Sequence, residues 1–294
     1  MRFEGAFTAM ITPFIGDRLD EEGFVRNIKK QIDAGITGLV FLGTTGEDVT
    51  LSDEEQMRVM EIGIRETKGK ALVLIGTGSN STKKTIEKTK KAQAMGADAA
   101  LIVTPYYNRP TQEGIFRHFE SISQHSDLPL FAYNILSRTG TNIETSTLLR
   151  IAGLPNVVGV KEASGNIVQM GDVIKTIKRK YPAFSVLSGD DILTLPLMAL
   201  GGSGIISVAS NLMPERIVAL AKACLEDRFR EARAIHEELL PLVKTLFIEV
   251  NPIPIKQAMQ FCGFPSGNCR LPLCELRPEN QKILENLLQE MKLA

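Results

Sequence analysis

Histidine and cysteine are scarce in this chain, with three and four among 294 residues. Cys224, Cys262, Cys269 and Cys274 form no CxxC pair, and His118, His125 and His236 form no HExxH. The spacings that hold zinc are therefore missing, and no metal is expected. The cysteines read as reduced residues of helices and a C-terminal loop. Charge of one sign is also missing: 34 basic and 34 acidic residues cancel, and no basic stripe runs through the sequence. That sets nucleic acid aside as a partner. No apolar run approaches the 18 residues of a membrane span, so no membrane partner is expected. The opening MRFEGAFTAMITPF has an acidic residue at position 4 and no h-region, so no signal peptide is expected and the expected location is the cytoplasm. GxGxxG is missing after the first strand-like run, where the chain reads ITPF. A dinucleotide-binding sheet is thereby disfavoured, and no cofactor is expected.

What is present is a repeating alternation. Near-continuous apolar, β-branched runs occur about every thirty residues, at 6–12, 38–43, 71–76, 99–104, 130–134, 157–161, 184–188 and 204–208. Such runs suit parallel strands covered on both faces. Helical segments lie between them. Ser52 to Glu55 is a capping box ahead of Met57, Val59, Met60 and Ile64, and Ser81 or Thr82 caps the next segment. Gly35, Gly69 and Gly96 serve as stop signals. Eight strand-then-helix units predict a (β/α)8 TIM barrel over residues 1–226 rather than an open doubly wound sheet. Segments 228–249, 252–262 and 278–292 predict helices of a C-terminal appendage, residues 227–294, packed on the barrel.

Barrels of this kind do their chemistry at the C-terminal ends of their strands. There the sequence places Gly43-Thr44-Thr45-Gly46-Glu47, Gly76-Thr77-Gly78-Ser79-Asn80, Thr104-Pro105-Tyr106-Tyr107-Asn108, Tyr133-Asn134 with Arg138 close behind, Lys161-Glu162, and Ser188-Gly189-Asp190. Hydroxyls, phenols, one lysine and one arginine converge, and histidine is absent. That disfavours metal hydrolysis and a Ser-His-Asp triad. Within VVGVKEASG, Lys161 directly follows a strand buried on both faces. A rim lysine can simply snorkel to solvent, and Tyr107 and Tyr133 can be packing residues with wet hydroxyls. As a set they fit covalent amine chemistry better. An amine desolvated at an apolar strand end is more often neutral, and a neutral amine attacks a keto carbon to form a Schiff base. Tyrosine and threonine can relay the protons. The amides of a Gly-Thr-Thr-Gly turn suit a substrate carboxylate.

These motifs, with TPYYNRP (104–110), YNILSRTG (133–140), LSGDD (187–191) and NPIPIK (251–256), resemble the 4-hydroxy-tetrahydrodipicolinate synthase family, the dihydrodipicolinate synthases among the pyruvate-dependent class I aldolases. The resemblance covers nearly the whole chain and implies a homotetrameric lyase built as a dimer of dimers. It would condense pyruvate with L-aspartate 4-semialdehyde in the first committed step of diaminopimelate and lysine biosynthesis. By the same resemblance, Lys161 forms the Schiff base, Tyr133 moves protons at the keto carbon, and Thr45 and Tyr107 complete a relay, Tyr107 coming from a neighbouring subunit. The amides of Thr44 and Thr45 hold the pyruvate carboxylate. Arg138 takes the carboxylate of the second substrate, and Gly189 and Ile206 line the site through their backbones.

Some positions depart from the family. Leu136 stands where proline is common, which is expected to loosen the turn before Arg138, and Asp48 stands where a small or apolar residue is usual. In lysine-inhibited relatives an interface pocket pairs an acid with the ammonium of free lysine. The matching positions here are Asp53, Gln56, Asn80, Lys84 and Tyr106, with Lys84 in place of the acid. A like charge there predicts weak or absent inhibition by L-lysine. Two rival readings share these residues: an aldolase of the same superfamily cleaving N-acetylneuraminate or a 2-keto-3-deoxy sugar acid, and a non-catalytic barrel acting as a metabolite sensor. Thr45, Tyr107 and Arg138 together favour the synthase.

Overall fold

The computed structural model describes residues 2–294. Strand β1 (Gly5–Ala9) leads to a hairpin of two short strands, β2 (Phe14–Ile15) and β3 (Arg18–Leu19). The chain then alternates α1 (Glu21–Asp33), β4 (Gly38–Phe41), α2 (Asp53–Thr67), β5 (Leu72–Gly76), α3 (Thr82–Met95), β6 (Ala99–Val103), α4 (Gln112–Gln124) and β7 (Leu130–Asn134). A short helix α5 (Leu136–Thr139) precedes α6 (Thr145–Ile151), β8 (Val157–Glu162), α7 (Ile167–Lys180), β9 (Ser185–Ser188), α8 (Thr194–Ala199), β10 (Gly204–Ser207) and α9 (Pro214–Leu225). Helices α10 (Phe229–Thr245), α11 (Ile253–Phe261) and α12 (Pro278–Glu290) complete the chain.

Eight parallel strands close into a barrel in the order β1, β4, β5, β6, β7, β8, β9, β10 and back to β1. This is the predicted (β/α)8 architecture with additional C-terminal helices; six of the eight apolar runs contain their strands, and the runs at 6–12 and 157–161 miss one terminal residue each, Gly5 and Glu162. The hairpin β2–β3 is an addition that the apolar pattern did not signal. Ser52 caps α2 and exchanges reciprocal bonds with Glu55, and Ser81 caps α3. Among the described residues, no helix is long and apolar enough to cross a membrane.

Two cores hold the fold. One fills the barrel lumen with Phe3, Phe7, Val40, Leu74, Leu101, Phe131, Leu187 and Ile206. The other lies between the sheet and its helices and extends without a break into Leu239, Leu242, Ile255, Met259, Leu284 and Leu288 of the C-terminal helices. Side chains alternate between these layers along each strand. The alternation places Phe131 and Tyr133 of β7 in the lumen beside Gly159 and Lys161 of β8, with which they are in register. A side chain at Gly159 would meet the Phe131 ring at 2.3 Å, so the glycine makes room for that ring. The filled lumen below leaves Lys161 on top, at the C-terminal rim.

Candidate active site

Lys161 is 6% exposed, and its Nζ lies 4.3 Å from the centroid of the Tyr133 ring. Two features of neighbouring strands shape this contact. The strand register sets Tyr133 and Lys161 side by side. On the other flank, a Cβ at Gly189 would approach Lys161 Cε to 3.0 Å and Cγ to 3.1 Å. Gly189 is therefore the gap through which the lysine stem rises, and its own amide is held by the carbonyl of Glu162. Ile206, on β10, is buried beside Phe7 of β1. Just beyond it, Asp191 accepts the Ser207 hydroxyl and the amide of Val208 at 2.9 Å, fixing the end of that strand. Glu162 points out of the lumen, where Asn134 and the Ser164 amide hydrogen-bond it. Burial nevertheless raises the pKa of its carboxyl.

The turn after β4 is a short 3₁₀ helix, Thr44–Gly46, followed by Glu47 in the left-handed region at φ 55°. Amides at the start of a helical turn lack an intrahelical acceptor and face outward, which suits Thr44 and Thr45 to a carboxylate. Thr45 is buried, and its hydroxyl receives the Asn251 side-chain amide at 3.0 Å. The Gly46 carbonyl accepts the Thr12 hydroxyl at 2.7 Å. Glu47 turns inward to a salt bridge of 2.7 Å with Lys256, the two side chains being 1% and 2% exposed. Lys256 also donates to the carbonyls of Thr12 and Asn268, and Glu47 accepts the amide of Arg270 at 2.9 Å. Burial lowers the pKa of the Lys256 ammonium, and Glu47 opposes that shift.

Thr44, Tyr133, Arg138 and Asn251 line one cavity of about 360 Å³, which continues to Asp48 and Tyr106. Arg138 donates to the carbonyl of Asn251 at 2.9 Å. Its turn is closed despite Leu136: the segment is the helical turn α5, ended by Gly140 at φ 67°, with the Thr139 hydroxyl bonded to the carbonyls of Ile135 and Thr141. These bonds hold the turn where a proline ring would have stiffened it. Tyr107 behaves differently. It is 91% exposed at φ 69°, so its own chain does not bring it to Tyr133.

Of the five candidate pocket residues, Gln56 and Tyr106 converge on Asp48. Gln56 donates to the Asp48 carbonyl at 3.0 Å, and the Asp48 charge adds to burial in raising the pKa of the Tyr106 phenol. The Asn80 carbonyl accepts the Asn108 side chain, while Asp53 and Lys84 are exposed on the first turns of α2 and α3. Asp48 itself is largely buried. Its Oδ2 stands 3.7 Å from Lys88, its Oδ1 has no partner, and burial raises its pKa to about 6.

Sequence reasoning assigned no role to Asn251, Lys256 or Glu47. The signal was visible, because NPIPIK and GTTGE stood out as motifs, but their meeting joins residues some 200 positions apart.

The class defined by this arrangement is the (β/α)8 barrel with a buried lysine at its catalytic rim. Comparison with known proteins narrows it. The family model for the dihydrodipicolinate synthetase family matches residues 2–291. The 4-hydroxy-tetrahydrodipicolinate synthase of Protochlamydia amoebophila is 51% identical over 99% of this chain and 97% of its own length. That of Methanocaldococcus jannaschii is 45% identical over 99% of each. The crystal structure of the dihydrodipicolinate synthase from Thermotoga maritima superposes with a TM-score of 0.98 at 40% identity, covering 100% of both chains. The chain belongs to the dihydrodipicolinate synthetase family.

Proposed function

We propose that this protein is a Schiff-base lyase condensing pyruvate with L-aspartate 4-semialdehyde to 4-hydroxy-tetrahydrodipicolinate, the committed step towards diaminopimelate and lysine. The observation carrying this reading is the buried amine of Lys161 held against the Tyr133 ring at the C-terminal rim of the barrel. The Lys161 amine adds to the keto carbon of pyruvate and water leaves, giving a protonated imine. Its positive charge draws the electron pair of a methyl C–H bond, the proton passes to the Tyr133–Thr45 relay, and the resulting enamine attacks the aldehyde carbon. The amine of the second substrate then displaces Lys161 as the ring closes.

Tyr133 gives and takes protons at the keto carbon, with Thr45 behind it. The amides of Thr44 and Thr45 hold the pyruvate carboxylate. Arg138, planar and permanently charged, takes the carboxylate of the aldehyde. Gly189 and Ile206 line the site through their backbones. Tyr107 enters from a second copy, which its exposure supports. That exchange needs at least a dimer, and the resemblance to the family extends it to a homotetramer built as a dimer of dimers. In this reading residues 1–226 carry the reacting groups and the appendage 227–294 braces them, and the protein works in the cytoplasm without a metal or cofactor. Asp53, Gln56, Asn80, Lys84 and Tyr106 are the positions that the family resemblance gives to an interface pocket for free lysine, and they take it weakly, since Lys84 opposes its ammonium and Asp48 already faces Lys88. Steady-state rates test the function. Turnover of pyruvate with aspartate semialdehyde, and no cleavage of N-acetylneuraminate or a 2-keto-3-deoxy sugar acid, is expected; the reverse result would replace this reading with the sugar-acid aldolase.

A further inference from the structure

One segment, Asn251 to Lys256, reaches the site from outside the barrel strands and touches it at three points. The Asn251 side chain meets Thr45, its carbonyl meets Arg138, and Lys256 meets Glu47. We propose that Asn251 is a positioning residue that sets the direction of the Thr45 hydroxyl proton, an inference resting on the relay reading above. A hydroxyl carries one proton and two lone pairs. The Asn251 amide Nδ2 donates into one lone pair at 3.0 Å, so the Thr45 proton is turned away from Asn251 and remains free for a phenol of the relay. Asn251 is 5% exposed, and its Oδ1 has no partner. A buried acceptor without a partner costs on the order of 1–3 kcal/mol. The amide keeps that unsatisfied oxygen while making one side-chain bond, and that bond goes to Thr45. The backbone carbonyl of the same residue fixes Arg138, so proton relay and second-substrate binding are referred to a single point of the appendage.

The test separates direction of the hydroxyl from mere packing. Asn251→Asp keeps the shape but presents acceptors only, so the Thr45 hydroxyl turns to the carboxylate and its proton leaves the relay. Asn251→Ala leaves a small void and a hydroxyl free to rotate. The expected order of kcat is wild type, then Asn251→Ala lower by a few-fold, then Asn251→Asp lower by roughly tenfold or more, up to the roughly 10²–10⁴-fold of a whole acid–base contribution. A packing role reverses the order, because Asp fills the space and Ala does not.

The same pair of changes in a Thr45→Val background completes a double-mutant cycle. There, the two variants are expected to turn over alike. Asn251→Asp at least as active as Asn251→Ala, or a loss of the same size with Val at position 45, overturns the inference while leaving the relay in place. Thr45→Val turning over at the wild-type rate would instead remove the relay reading itself, and the inference with it.

Discussion

Replacing Lys256 by methionine keeps the stem of the side chain and removes the ammonium that faces Glu47, Thr12 and Asn268. Glu47 is then a buried carboxylate, 1% exposed, with the Arg270 amide as its remaining partner. Breaking a buried ion pair from one side costs about 3–5 kcal/mol, because the other charge is left uncompensated. Against a typical stability of about 5–15 kcal/mol this is roughly a fifth or more of the whole. For a chain of this length each kcal/mol moves the thermal midpoint by a little under 2 °C, so Lys256→Met is expected to lower Tm by roughly 5–8 °C. Removing the second charge as well, with Glu47→Gln, leaves an acceptor for Arg270 and no buried charge. The double variant is expected to recover about 2 kcal/mol relative to the sum of the single changes. Differential scanning calorimetry at fixed protein concentration reads both effects. A drop below 2 °C for Lys256→Met, or strict additivity in the double variant, would refute the view that this pair holds the turn from Thr44 to Glu47.

Gly189→Ala would drive a methyl to about 3 Å from the Lys161 stem and 2.8 Å from Ala163 Cβ. Condensation should fall by more than tenfold, and trapping of pyruvate should fall with it; a variant with wild-type kcat would show that the lysine has room to spare. Asp48 takes up its proton at about 6 when folded, against an ordinary value of 3.8. The folded state therefore binds that proton more tightly, the ionised group destabilises above pH 6, and the penalty vanishes below about pH 4. Asp48→Asn should be more stable by about 3 kcal/mol at pH 8 and indistinguishable at pH 4, and urea unfolding at the two pH values would contradict this if the gain were equal at both. Titration with L-lysine should give no half-inhibition below roughly millimolar concentration, since Lys84 repels its ammonium and Asp48 already faces Lys88 at 3.7 Å; sub-millimolar inhibition would contradict that account.

The strands were legible because parallel strands covered on both faces are continuous apolar runs, and each of the eight declared itself by that pattern. Lys161 was legible for the same reason: an ammonium directly after such a run either snorkels to solvent or has chemistry to do, and the tyrosines and threonines at the neighbouring strand ends favoured the second. The hairpin of residues 14–19 was not, because two-residue strands carry no period. Gly189 could be read as a strand-end residue, but its reason for being glycine is a distance to Lys161 that the side-by-side pairing of β8 and β9 creates. The bonds from Asn251 to Thr45 and from Lys256 to Glu47 were invisible for a related reason. They depend on how the last helices pack on the barrel, which no local pattern encodes. Leu136 shows the opposite limit. Its effect on the turn was expected from the missing ring, whereas Thr139 and Gly140 close that turn by other bonds. Tyr107 is the one relay residue that its own chain leaves outside.

Borohydride reduction of the protein in the presence of pyruvate, followed by mass-spectrometric mapping of the adduct, addresses the Schiff base most directly. A single reduced pyruvyl group on Lys161, absent from Lys161→Ala, is the predicted result. No adduct, or an adduct on another lysine such as Lys84 or Lys88, would contradict the account and return Lys161 to a rim lysine of a barrel that binds metabolites without transforming them.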